Sequence, residues 1–156
     1  MITISRDALG KSSQEFIRDV LIENLTDVQS PVRANSTWIF KSTEDETRIK
    51  GKLPRVYIEQ ASEDRTRLAP NVTGPIMITF DITIWDSGDS DVNYRDQVAD
   101  EVIKVLASDT STDGTNSLKS QHLYYESSTQ SNEDALVEDV SLRIKRISIN
   151  MHYRGW

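Results

Sequence analysis

The spacing of apolar residues switches along this chain between the 3.6-residue period of a helix and the two-residue period of a strand, and each switch marks an element. In "SSQEFIRDVLIENLTDVQ", Ile17, Leu21, Leu25 and Val28 share one face with Val20 beside them. Ser12 and Glu15 offer a capping box, and Pro31 stands beyond the end. The pattern predicts an amphipathic helix from about 13 to 29, with Arg18, Asp19, Glu23 and Asp27 on its solvated side.

Strict alternation follows. "TWIF" (37–40) is a short strand fit for an edge, and "PRVYIEQA" (54–61) sets Val56 and Ile58 against Arg55, Tyr57 and Glu59, the mark of a half-buried strand. "PIMITFDITIWD" (75–86) alternates throughout, with Ile76, Ile78, Phe80, Ile82 and Ile84 on one face, and is expected to be the central strand. Between these lies "SEDRTRLAPNVTG", expected to be a long polar loop over 62–74.

Helical spacing returns in "DVNYRDQVADEVIKVLAS", where Val98, Val102, Val105 and Leu106 form a stripe over about 92–108. After the polar "DTSTDGTNS", the stretches "HLYYES" and "ALVEDVSLRIKRISINMHYRGW" are expected to form a long hairpin around "STQSNED". Leu142 and Ile144 fall on even positions, whereas Ile147, Ile149, Met151 and Tyr153 fall on odd ones. A slip of one residue turns an apolar face to water unless the extra residue is bulged out, so a β-bulge is expected at Lys145 and Arg146. All six glycines are read as lying outside the periodic segments. The expectation is a single α+β domain over 1–156: a mostly antiparallel β-sheet flanked on one face by two α-helices, in the order α-β-β-β-α-β-β.

Composition narrows the classes of function. A net charge of −7 disfavours general attraction to phosphate backbones and argues against a nucleic-acid reader. The absence of cysteine removes disulfides, thiolate metal sites and thiol nucleophiles together. No apolar run approaches the roughly 20 residues that span a bilayer, and the start lacks a signal peptide's apolar stretch, so a soluble chain made in the cytoplasm is expected.

The densest chemistry is in "DITIWDSGDSDVNYRDQ", where Asp86, Asp89 and Asp91 crowd together. An EF-hand loop needs carboxylates at its first, third and fifth positions and a Glu at its twelfth; this stretch has Gly at the third and Gln at the twelfth. A turn accounts for every residue instead. Asp86 ends the strand, Gly88 permits a left-handed turn, and Ser90 or Asp91 caps the next helix at its positive end. Glycine-rich phosphate loops, G-x-S-x-G and H-E-x-x-H are all missing, and His122 and His152 sit in strand patterns without an evident nucleophile. No catalytic residue, metal ligand or cofactor is therefore expected. Trp38 suits a core, whereas Trp85 on the polar face of the central strand and Trp156 at the last position are better interface candidates.

The element order, the "LPRVYIE" strand, the polar stretch after it, the strand ending "ITIWD", the helix "RDQVADEVIKVLAS" and the end "INMHYRGW" resemble the tail-terminator or tail-completion proteins of long-tailed viruses, over about residues 13–156. The resemblance implies a structural protein of the virion's tail-neck region, assembled in the host cytoplasm. Its partners would be further copies of itself in a hexameric ring, the tail-tube protein and the head connector or stopper. The ring would halt tube growth, join tail to head and leave a channel through which DNA passes without sequence-specific binding. Arg65, Arg67 and Leu68, with Trp85 and Trp156, are the candidate contacts to neighbours. Two neck proteins, the adaptor and the stopper, fit the same features. The competing classes are a small metal-dependent enzyme using Asp86, Asp89 and Asp91, and a monomeric binding module using the 62–74 segment.

Overall fold

A computed structural model describes residue 4 and residues 8–28, 31–41, 53–59, 62–69, 72–88, 94–108, 118–137 and 139–154; for 65–69, 72–75 and 137 it describes the backbone alone. The chain runs through helix α1 (Leu9–Asn24), strands β1 (Ile39–Lys41), β2 (Arg55–Ile58), β3 (Ser62–Ala69) and β4 (Val72–Ser87), helix α2 (Arg95–Ser108), and strands β5 (Leu123–Val137) and β6 (Val140–Tyr153). The fold is α+β, with a six-stranded, mostly antiparallel sheet ordered β1-β2-β4-β6-β5 and β3 also paired to β4. Both helices pack on one face. The even positions Ile76 to Ile84 of β4 and the odd positions Ile147 to Tyr153 of β6 meet Phe16, Ile17, Leu21, Val98, Val102 and Leu106 in one core.

Helix α1 starts earlier and ends earlier than its periodicity predicts, because both ends are held from a distance. Ala8, which provides no side-chain cap, precedes it, and the Ser12 hydroxyl donates back to the Ala8 carbonyl at 2.8 Å, so the expected capping box is not used. The Gly10 N–H donates instead to Glu63 Oε1 of β3 at 3.0 Å, bringing a carboxylate to the positive end of the helix. At the other end Leu25 turns extended, and Asn35 Nδ2 donates to the carbonyls of Ile22 and Leu25 at 2.7 and 2.6 Å. Gly10 therefore lies inside a helix, and Gly74 inside β4, not in the breaks assigned to them.

The segment expected to be a polar loop over 62–74 is strand β3 followed by the start of β4. Arg55 to Ile58 pair with Trp85 to Ile82, and Ser62 to Ala69 continue down the same edge of β4 from Thr79 to Val72. One long antiparallel hairpin results, with a one-residue shift between its two paired stretches and further register shifts between Arg65 and Arg67 and between Arg67 and Ala69. The sheet thus has four strands before α2, one more than the apolar pattern shows.

The bulge expected at Lys145 and Arg146 is absent. Strand β6 pairs with β4 in unbroken register from Leu142 opposite Ser87 to Tyr153 opposite Ile76. The slip in apolar phase has another cause: Leu142 and Ile144 face away from the helices into a second small cluster with Leu53, Trp85, Ala135 and Val140. Lys145 then takes the helix-facing position, where its Nζ lies 2.6 Å from Asp96 of α2. The register shift falls on β5 instead, between Tyr125 and Ser127. "STQSNED" belongs to β5 rather than to a turn, and the two strands stay paired to Val137 and Val140.

Candidate functional site

The acidic stretch after β4 resolves around Asp86. The residue is 2% exposed, and its two carboxylate oxygens accept the N–H groups of Ser87 at 2.8 Å and Tyr94 at 2.7 Å. One side chain thus closes the turn and fixes the approach to α2, where a negative charge is favourable. Space, and not a left-handed backbone, favours Gly88: a Cβ there would press on Ser141 Oγ and lie 3.1 Å from the Ser141 backbone. Asp89 and Asp91 lie outside the described residues. Among the described residues no three histidine or carboxylate groups converge in a way that could hold a metal ion.

The face of the sheet away from the helices divides into two regions. Toward the Ser87 end it is aromatic. Tyr57 of β2 stands 4.8 Å from Trp85 and 5.8 Å from Phe40, ring centre to ring centre. Arg55, 1% exposed, lies over both Phe40 and Tyr57 and donates to the Tyr57 hydroxyl. All four residues of β2 are consequently buried, where alternation predicts a half-buried strand. Trp85, offered by sequence as an interface anchor, is half-buried against Tyr57 and the second apolar cluster.

Farther along the same face the side chains are polar and bonded to one another across strands. Thr79 donates to Asn150 at 2.9 Å, and Asn150 donates to Ser127 at 3.1 Å. Ser148 donates to Asp81 at 2.6 Å, and Arg146 reaches Asp81 at 4.0 Å and Glu133 at 3.7 Å. His152 stands 3.4 Å from Glu126, the residue at the register shift in β5. A surface built this way is hydrophilic, with its carboxylates partly neutralised.

Beyond that surface, the β3–β4 hairpin continues as an arm. The last pair between β4 and β6 is Ile76 with Tyr153, whereas β3 follows β4 as far as Ala69 opposite Val72. Of the candidate contacts from sequence, Arg65 stands at the base of this arm, opposite Ile76, and Arg67, opposite Thr73, and Leu68 lie along it. The structure therefore groups these three, sets Trp85 well apart from them toward the opposite end of β4, and leaves Trp156 outside the described residues. Sequence reasoning missed Arg55 and Tyr57, whose alternation with Val56 and Ile58 suggested solvent. No local signal reveals that both faces of β2 are covered.

No helix among the described residues is long and apolar enough to cross a membrane. No protein-family model matches the chain, and a search of curated proteins finds no significant match.

Proposed function

We propose that this chain is the subunit of a ring that caps the tail tube of a long-tailed virus, stopping tube growth and joining the tail to the head. The observation that carries the reading is the β3–β4 arm. Paired backbone that continues past the last β6 partner is placed to meet a neighbouring subunit or the last turn of the tube. Its "SEDRTRLA" sequence mixes both charges with one large apolar residue, the composition of a contact that matches charges and buries a single large side chain. The helix-free face fits the same reading, since hydroxyls, amides and compensated carboxylates give DNA phosphates little to hold and leave a channel through which DNA slides.

Replacing Arg65 and Arg67 together with Glu tests the arm. The subunit is expected to fold, judged by circular dichroism, because neither is a core position in the sequence pattern. Particles carrying the variant are expected to show over-long or unjoined tails by electron microscopy. Normal tail lengths and normal joining from the folded variant would remove the arm from the mechanism.

A further inference from the structure

The β5–β6 hairpin carries complementary features at its two ends. At its turn the sequence "EDALVEDVSL" (133–142) holds Glu133, Asp134, Glu138 and Asp139 and no basic residue. Arg143 and Arg146 of β6 face Asp134 and Glu133, yet Asp134 and Asp139 remain exposed. Within this acidic turn Leu136 is 72% exposed, one of two large apolar side chains so exposed among the described residues. It faces away from the second apolar cluster, opposite Ser141, and no described residue covers it.

At the other end of the same hairpin is a hollow of about 220 Å³. The buried Leu118 and Leu123 underlie it, the half-buried Tyr124 and Tyr125 flank it, and the exposed Ala107 and Lys119 stand at its mouth. Its surroundings are basic. Lys104 is exposed one helical turn before Ala107 and Ser108, and Arg154 stacks over Tyr124 at 5.2 Å from the ring centre. Two of the described acids in this part of the molecule, Glu101 and Glu126, are engaged with the Thr26 N–H and with His152.

We infer that the Leu136 turn of one copy of this chain seats in the hollow formed by Ala107, Leu118, Leu123 and Tyr125 of the next copy, acid against base. At about 3.3 Å per residue, Leu123 and Leu136 lie roughly 43 Å apart on β5, so no subunit can make this contact with itself. A contact between unlike patches is heterologous, and repeated with a closing rotation it generates a ring, not a two-fold dimer. The inference rests on the ring reading for its partner, a second copy, and adds the surfaces that join copies. Leu136 supplies the buried centre and the charges supply register and encounter rate.

The chain has no cysteine, which makes disulfide trapping clean. The Leu136→Cys, Ala107→Cys double variant, oxidised with diamide at high protein concentration, is expected to give a ladder of covalent oligomers on a non-reducing gel. Either single variant is expected to stop at a trace of dimer, and an equal mixture of the two at one heterodimer. A double variant that cross-links no more than the singles overturns the contact, as does efficient homodimer from Leu136→Cys alone, which signals a two-fold turn-to-turn contact. Light scattering on the reduced wild type separates the two claims. An oligomer without a ladder discards this contact and keeps the ring. A ladder from a chain whose deletion leaves tails normal keeps the contact and discards the tail assignment.

Discussion

A buried carboxylate that accepts two backbone N–H groups works as a structural bolt, and Asp86 is placed to do this for the turn into α2. Charge-assisted hydrogen bonds contribute more than neutral ones, so Asp86→Ala is expected to cost about 3 kcal/mol in chemical denaturation; a loss under about 0.5 kcal/mol would show that the turn holds without it. Millimolar Ca²⁺, Mg²⁺ or Mn²⁺ is expected to leave the melting temperature unchanged, whereas an ion specific for the native state would add about 2.7 kcal/mol at one hundred times its Kd. Two other aspartates respond to pH in opposite directions. The Lys145 ammonium bonded to Asp96 holds that carboxyl below its ordinary 3.8, so the pair stabilises the fold above that pH and its contribution is lost as pH falls through the lowered value. Asp96 is half exposed, and Asp96→Asn is expected to cost less than about 1 kcal/mol at neutral pH and nothing in strong acid. Burial pushes Asp19 above 3.8, so its ionisation opposes folding as pH rises through the raised value. Asp19→Asn is therefore expected to stabilise the protein at neutral pH, with the gain gone below pH 3.8. Melting curves across pH distinguish the two signs.

Helix α1 shows why element boundaries are harder to read than element identity. The stripe of Ile17, Val20 and Leu21 announces the helix, but Glu63 and Asn35, which hold its ends, are far away in sequence and carry no local mark. Glu63→Ala is expected to cost about 0.5–1 kcal/mol, the ordinary worth of a cap, and Ser12→Ala, at the position where a local capping box is predicted, markedly less. Equal losses from both would contradict the distant cap. Strand β6 makes the same point about faces. Its change of apolar phase was legible, but a chain pattern cannot distinguish a bulge from a strand that is apolar on different faces at its two ends. The second cluster around Leu142 and Ile144 decides that. Deleting Lys145 is expected to abolish folding, because a one-residue shift in a strand paired on both sides turns every side chain beyond it to the wrong face. A folded deletion variant with wild-type denaturation would contradict this dependence on register. Strand β3 was not legible at all: its charged, weakly alternating residues form a strand because β4 provides a long edge, and that partner lies beyond any local window.

At the scale of the whole molecule, sequence predicts two helices on one face of a largely antiparallel sheet, and that is the fold, since the long alternation of β4 and the stripe of α2 are strong and local. The candidate contacts divide differently. Arg65, Arg67 and Leu68 share an arm, whereas Trp85 packs within the subunit, because the residues around it come from β2, β5 and β6. The proposed ring uses the molecule's extremities: the arm at one end of the sheet, the acidic Leu136 turn at the other, and the basic-rimmed hollow between α2 and the start of β5. Its central claim is that the assembled chain terminates a tail tube. The most direct measurement removes the chain's gene from the genome that carries it and images the resulting particles, recording tail length and attachment. Heads without joined tails and tubes of unregulated length are expected, restored by the chain supplied in trans. Particles with tails of normal length joined to heads would contradict it.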